Sequence, residues 1–202
     1  MRIIEKLLSI NPCSRSGRRL AVCKGIVFHF VGINRQRALT TWNYFEKDCP
    51  AVNHYSSAHY IIDLNGDIYH AVPDDEAAWH CGSEKPDPKS GRIYTDWARQ
   101  KYGYYAADPV KTSPNYCTLG IEMCVDQQGN FTPETLQAGV ELTVKLLNDK
   151  KLSVDDIGTH NLIVGWKDCP LPWVKCPALF EEFKERVKEK MGGSALALRS
   201  EQ

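Results

Sequence analysis

No run in this chain approaches the ~20 consecutive apolar residues that a membrane-spanning helix needs. Membrane insertion is therefore not expected. Charge of one sign is not in excess either: Lys+Arg and Asp+Glu are equal at 25 each. No global basic field draws the chain to nucleic acid or to an anionic surface. The start, MRIIEKLLSINPC, lacks the features of a secretory signal. Glu5 and Lys6 break its apolar run and no small-residue cleavage site follows. The expectation is synthesis in the cytoplasm without a signal peptide. No CxxC pair occurs among the eight cysteines. With no export signal and enough chain to build a core, these are expected to be mostly free thiols plus at least one metal ligand.

What is present reads as one soluble domain. The chain has 202 residues, 43 % hydrophobic and 25 % charged, an ordinary globular balance. Residues 1–24, with the turn cluster SRSGRR, read as an N-terminal arm packed on the core. GIVFHFVG (25–32) is a short apolar run bounded by glycines, a buried strand. Ala38, Trp42 and Phe45 recur at helical spacing over about 36–48, and Cys49-Pro50 is expected to stop that helix. SAHYIIDLNGDIYHAVP (57–73) places two β-rich runs around Asn65-Gly66, a hairpin signal. Residues 83–115 read as a long loop with one helical turn near 94–101, and loops of that length often line a binding groove.

YCTLGIEMCVD (116–126) alternates and reads as a strand. Thr132-Pro133 starts a helix as N-cap and first helical residue, with Leu136, Val140, Val144 and Leu147 on one face. A last helix over 177–190 puts Leu179, Phe183 and Val187 on one side. Residues 191–202 read as a flexible tail. No internal repeat and no second domain are evident. The architecture that follows is mixed α/β, a sheet with helices packed on it.

His29 lies in the middle of GIVFHFVG. Alternation puts it on one face with Val27 and Val31, and Ile26, Phe28 and Phe30 on the other. A buried imidazole there must be hydrogen-bonded or bound to metal. A core histidine with a hydrogen-bond partner and a metal ligand are both open readings. GTHNLIVGWKDCP (158–170), a loop-like stretch, carries His160, Lys167 and Cys169, and two of these are zinc-ligand types. Three N/S ligands with one open position form the catalytic zinc pattern. Glu122 shares a strand face with Gly120 and Cys124, opposite Leu119, Ile121 and Met123. A carboxylate there could take a proton from water activated by zinc, unless it simply sits on a solvated face. Lys167 could steady a developing oxyanion.

GIVFHFVG, SAHYIIDLNGDIYHAVP, EAAWHCG, CTLGIEMCVD and THNLIVGWKDCP occur in an order that resembles the zinc-dependent N-acetylmuramoyl-L-alanine amidases. That family includes many phage endolysins and is related to the peptidoglycan recognition proteins. The likeness spans roughly residues 25 to 170 and implies a central sheet of about five to six strands flanked by helices. Carried over by position, it implies His29, His160 and Cys169 as ligands of Zn2+. Cys169, two residues after Lys167, takes the third place, and Asp168 between them is a non-ligand. Lys167 matches the lysine near the scissile carbonyl, and Glu122 the glutamate that serves as acid and base in one branch. Another branch carries a tyrosine beside the histidine of the hairpin's first strand. Here Ala58 precedes His59, so that tyrosine is missing and the weight moves to Glu122.

His80, in AWHCG, matches a substrate-pocket residue. His54, His59 and His70 are read as structural or surface residues, and Cys124 as a small buried thiol. Trp79, Trp97, Trp166 and Trp173 could line a glycan groove, although any one of them is more often a core residue.

The implied reaction is hydrolysis of the amide between N-acetylmuramic acid and L-alanine in peptidoglycan, with peptidoglycan as the partner. A catalytic domain over 25–190, with no separate wall-binding domain, would act on the wall after release by a holin-type partner, as a phage or prophage endolysin does. Two alternatives have different signatures. A non-catalytic peptidoglycan-binding module of the same fold would have lost the cysteine ligand. A purely structural zinc would be held by four protein ligands.

Overall fold

The computed structural model describes residues 1–86, 88–102 and 113–200, with side chains through residue 193. Six strands, β1 (Arg2–Glu5), β2 (Gly25–Phe30), β3 (Tyr60–Ile62), β4 (Asp67–His70), β5 (Thr118–Met123) and β6 (Ile157–Thr159), form one sheet. Their spatial order is β1-β4-β3-β5-β2-β6. Neighbours are parallel except β3 and β4, which form the antiparallel hairpin expected around Asn65-Gly66. Gly66 has φ +79, a left-handed turn position that glycine enters without strain.

Among the described residues seven α-helices clothe the sheet: α1 (Ala38–Asn43), α2 (Cys49–Ala51), α3 (Asp96–Tyr102), α4 (Pro133–Lys150), α5 (His160–Val164), α6 (Leu171–Lys175) and α7 (Pro177–Ser200). Central parallel strands buried on both faces read as near-continuous apolar runs, which is why GIVFHF is so uniform. On one face Ile26, Phe28, Leu119, Ile121 and Met123 pack against α4 and α7. Thr132 caps α4 as its sequence implies, accepting a hydrogen bond from the Thr135 N–H at 3.0 Å. On the other face Val27 joins a cluster with residues of α3 and α5, and Val31 a cluster with residues of α1. The split of β2 into two differently covered faces matches the alternation in its sequence.

The structure differs from the sequence reading in four places. The arm is part of the sheet: β1 pairs in parallel with β4, and Leu8 behind it is buried. An Arg15–Glu76 ion pair at 2.8 Å ties the arm down. A four-residue edge strand of mixed polarity gives too short a pattern to read alone. Second, Cys49-Pro50 does not stop the first helix. A π-helical turn over Tyr44–Asp48 intervenes, and Pro50 sits near the start of α2, where its missing N–H costs least.

Third, the stretch from 158 is not loop-like at its start. It opens in β6 and continues directly into α5. Fourth, the last helix extends through Gly192-Gly193 to Ser200. Glycine weakens a helix by ~1 kcal/mol but leaves its N–H in place. Its inward face is Phe180, Phe183 and Val187, while Leu179 is exposed. The helical turn near 94–101 is α3. Much of the rest of the 83–115 loop, residues 87 and 103–112, lies outside the described residues. Among the described residues no helix is long and apolar enough to cross a membrane.

Candidate metal centre and active site

The carboxyl ends of the parallel strands β5, β2 and β6 lie side by side, the usual place for a site in such a sheet. His29 is next to last on β2. In the parallel register it stands opposite Glu122 of β5, so both side chains rise from the same face. On the other side Phe28 pairs with Thr159, the last residue of β6. His160 follows at once as the first residue of α5, whose N-cap is the Thr159 hydroxyl. Strand pairing alone therefore brings His160 to His29 across 131 residues of sequence.

Cys169 arrives from the turn that follows α5. Gly165 ends the helix in the left-handed region. Asn161 then clamps the returning chain: its N–H donates to the Cys169 carbonyl at 2.8 Å and its side-chain amide to the Lys167 carbonyl at 3.0 Å. The sequence reading missed Asn161. Its signal is its place immediately after His160.

The result is a compact donor set. His29 Nδ1 lies 3.1 Å from His160 Nδ1 and 3.7 Å from Cys169 Sγ. One ligand atom from each of the three lies within 4.8 Å of the others, and all three side chains are buried. Two imidazole nitrogens and a thiol match zinc in number and type, with a fourth position left for a non-protein ligand. Asp168 is exposed and outside this cluster. The cysteines are all unpaired thiols.

Burial sets the local acid–base behaviour. It lowers His160 to about 3, with help from Lys167, and holds His29 well below the usual histidine value. It pushes the Cys169 thiol up to about 12. Glu122 is raised to about 8, again by burial, with Lys167 pulling the other way. Its Oε2 is covered and has no hydrogen-bond partner, as does His160 Nε2. Buried polar atoms are seldom left so, and here both belong to the rim of the donor set.

Two cavities flank it. One, ≈ 420 Å³, is lined by His80, Asn115, Tyr94, Trp79, His160 and Lys167. The other, ≈ 490 Å³, is lined by Glu122, Phe30, Ile33, Thr40, Tyr44 and Asp48. Ser56 borders both.

The remaining candidates sort themselves by position. His80 lines the first cavity, but its Nδ1 lies 3.0 Å from His29 Nε2 and its Nε2 3.2 Å from Thr118 Oγ1. Both ring nitrogens are thus engaged within the protein. His59 is fully buried, as a structural residue should be: its Nδ1 accepts the Gly120 N–H at 2.9 Å and its Nε2 faces the Glu76 carbonyl. Cys124 is a buried thiol beside α1. Of the tryptophans, Trp79 borders the cavity and Trp166 is partly exposed near it, its Nε1 donating to Ser83 Oγ at 3.1 Å. Trp173 is buried in the core, in edge and tilted contact with Phe28, Phe180 and Phe183. Trp97 packs on Tyr102 of α3.

A family model described as N-acetylmuramoyl-L-alanine amidase matches residues 19–172. The chain belongs to that family. Among its curated relatives, a probable N-acetylmuramoyl-L-alanine amidase of Bacillus licheniformis is 31 % identical over 98 % of this chain and 50 % of its own length. The N-acetylmuramoyl-L-alanine amidase BlyA of Bacillus subtilis (strain 168) is 29 % identical over 94 % of this chain and 48 % of its own. The chain thus spans about half the length of these amidases. The solved catalytic domain of XlyA superposes with TM-score 0.66 at 18 % identity, covering 93 % of this chain and 99 % of that one. The PlyG catalytic domain gives 0.67 at 18 %, covering 95 % and 96 %. These likenesses establish the amidase fold, a mixed six-stranded sheet with helices on both faces.

The carboxyl group on β5 has a measurable consequence. In chelator-treated protein, folding raises Glu122 from 4.5 to about 8. Between those values the folded state holds a proton that the unfolded chain has released, so stability falls as pH rises. The buried imidazoles act in the opposite sense and lower down. His160 and His59, at about 3 and 4 when folded against 6.5, cost stability as pH drops below 6.5. From pH ~6.5 to ~8 the imidazoles, still partly protonated in the unfolded chain, offset the Glu122 slope of up to ~1.4 kcal/mol per pH unit, so that slope is read as a difference between variants. Urea melts at those two pH values should show Glu122→Gln gaining stability on the wild type as pH rises. Parallel slopes would contradict the placement of this carboxyl.

Proposed function

We propose that this chain hydrolyses the amide joining N-acetylmuramic acid to L-alanine in peptidoglycan, with Zn2+ held by His29, His160 and Cys169. The observation that carries the proposal is the buried convergence of Nδ1, Nδ1 and Sγ beside an unpartnered carboxylate oxygen. The family match and the amidase names of the relatives support it. Bound there, zinc supplies Lewis acidity for a carbonyl and brings the pKa of water toward ~7.

The protein's own groups do the rest. Glu122, standing beside His29 in the register, takes the proton of the attacking water and passes it to the departing amine of L-alanine. A carboxyl displaced to about 8 is suited to both steps near neutrality. Lys167, an exposed cation on the cavity wall, steadies negative charge developing on the carbonyl oxygen. The two cavities give room for substrate on either side of the scissile bond. Trp79 offers a sugar a flat apolar face in the first of them. His80 forms wall there, and its ring nitrogens are turned to the protein.

The intact cysteine ligand favours catalysis over a binding module. Three protein donors, not four, favour a catalytic over a structural ion. Delivery to the wall by a holin-type partner belongs to the same reading. Digestion of purified walls tests the reaction. Free L-alanine amino groups should appear as turbidity falls, and chelation should stop both. New reducing sugars without new amino groups would make the protein a glycosidase and reject the proposal.

A further inference from the structure

Behind His29 the structure holds a line of hydrogen bonds whose direction can be worked out from its far end. Thr118 Oγ1 donates to the Pro114 carbonyl at 2.7 Å. A hydroxyl has one proton, so toward His80 that oxygen can only accept. His80 Nε2 faces it at 3.2 Å and the Thr118 carbonyl at 3.3 Å, two acceptors together. The proton of a neutral His80 therefore sits on Nε2, and Nδ1 carries a lone pair. That lone pair lies 3.0 Å from His29 Nε2. Among the described residues no acidic side chain hydrogen-bonds to either ring, and a buried imidazolium would go uncompensated.

We propose that His80 is a positioning residue. Its Nδ1 accepts the Nε2–H of His29 and so fixes the tautomer whose Nδ1 lone pair faces His160 and Cys169. The sequence reading placed His80 against substrate; this assigns it to the ligand behind the substrate. The inference rests on His29 being a zinc ligand.

A second feature shows that the ring's seat is built. Gly120 of β5 lies against it, and a Cβ at that position would come 2.5 Å from His80 Cγ and 2.8 Å from Nδ1. Only glycine leaves the ring its place. His59 holds Gly120 from behind by two hydrogen bonds: the Gly120 N–H donates to the His59 ring at Nδ1 at 2.9 Å, and the His59 N–H to the Gly120 carbonyl at 3.0 Å. Asn115 Oδ1 accepts the N–H groups of both His80 and Cys81, fixing the backbone that carries the ring. Partners behind a ligating histidine set its orientation, and their loss commonly weakens metal binding about 10–100-fold.

The test has two readouts. Two-bond proton–nitrogen spectra of the imidazoles in 15N-labelled, metal-free protein should show both His29 and His80 protonated on Nε2. Zinc affinity is then measured by competition with a chromophoric chelator. His80→Leu, with no acceptor, should bind zinc about 10–100-fold more weakly. His80→Asn, whose amide oxygen falls near the place of Nδ1, should recover most of that loss. Gly120→Ala, which keeps the imidazole but displaces it, should weaken zinc as His80→Leu does.

His29 protonated on Nδ1 would overturn the proposal. So would His80→Leu with wild-type affinity, or His80→Asn no better than His80→Leu. Wild-type protein that takes up no zinc would sink the metal reading instead. The imidazole spectrum would still decide the hydrogen-bond line, and decides it also where a variant does not fold.

Discussion

Replacing Glu122 by glutamine should lower wall-amide hydrolysis by about 10²–10⁴-fold, the range that general acid–base groups contribute. Zinc content should stay at the wild-type level, because Glu122 is not in the donor set. The expectation comes from position. Glu122 pairs with His29 on the adjoining strand and has a covered oxygen without a partner. A glutamate serving only the fold would be hydrogen-bonded or wet. Glutamine keeps the shape and removes the proton traffic, and at pH 8 the variant should melt no lower than wild type. Full activity in a zinc-loaded Glu122→Gln protein would move the base role to another group.

Cys169→Ser should lose metal and activity together. A serine hydroxyl is not ionised near neutrality and does not replace a thiolate on zinc. The fall in affinity should exceed the ~100-fold upper range for losing a partner behind a ligand. The fold should survive, since Cys169 sits at the end of a turn held by Asn161 and not inside either main cluster. Metal analysis of the purified variant beside wild type reads the first effect and far-UV circular dichroism the second. A variant that keeps one zinc per chain would mean that the thiol is not a ligand.

Much of this was legible beforehand where a pattern had a short period. The alternation in GIVFHFVG placed His29 opposite Phe28 and Phe30, and TLGIEMCV placed Glu122 on the face of Gly120. Both faces are as expected because buried strands enforce alternation strictly. The register between them was not legible. Nothing local to either segment says that His29 meets Glu122, and only the family resemblance supplied it.

Three things escaped for physical reasons. Thr159 ends a strand of three residues, too short for periodicity to show. Asn161 acts by backbone hydrogen bonds, which leave no hydrophobic signature. Which way the His80 ring nitrogens point depends on Thr118 and Pro114, remote in sequence, and the motif around His80 carries no sign of it. Trp173 falls on the side that an aromatic residue takes more often, the core, packed against Phe28 and Phe183.

The family match begins at residue 19, yet the molecule begins its business earlier. Leu8 and Ser14 are as deeply enclosed as any residue of the central strands, and the Ser14 hydroxyl bonds to the Phe45 carbonyl in the wall beside Glu122's cavity. A fragment trimmed to the conserved profile would strip the outermost rung from the sheet, bare the hairpin's edge and unpin the helix that borders that chamber. For this chain the smallest unit that keeps the sheet whole is longer than its family signature.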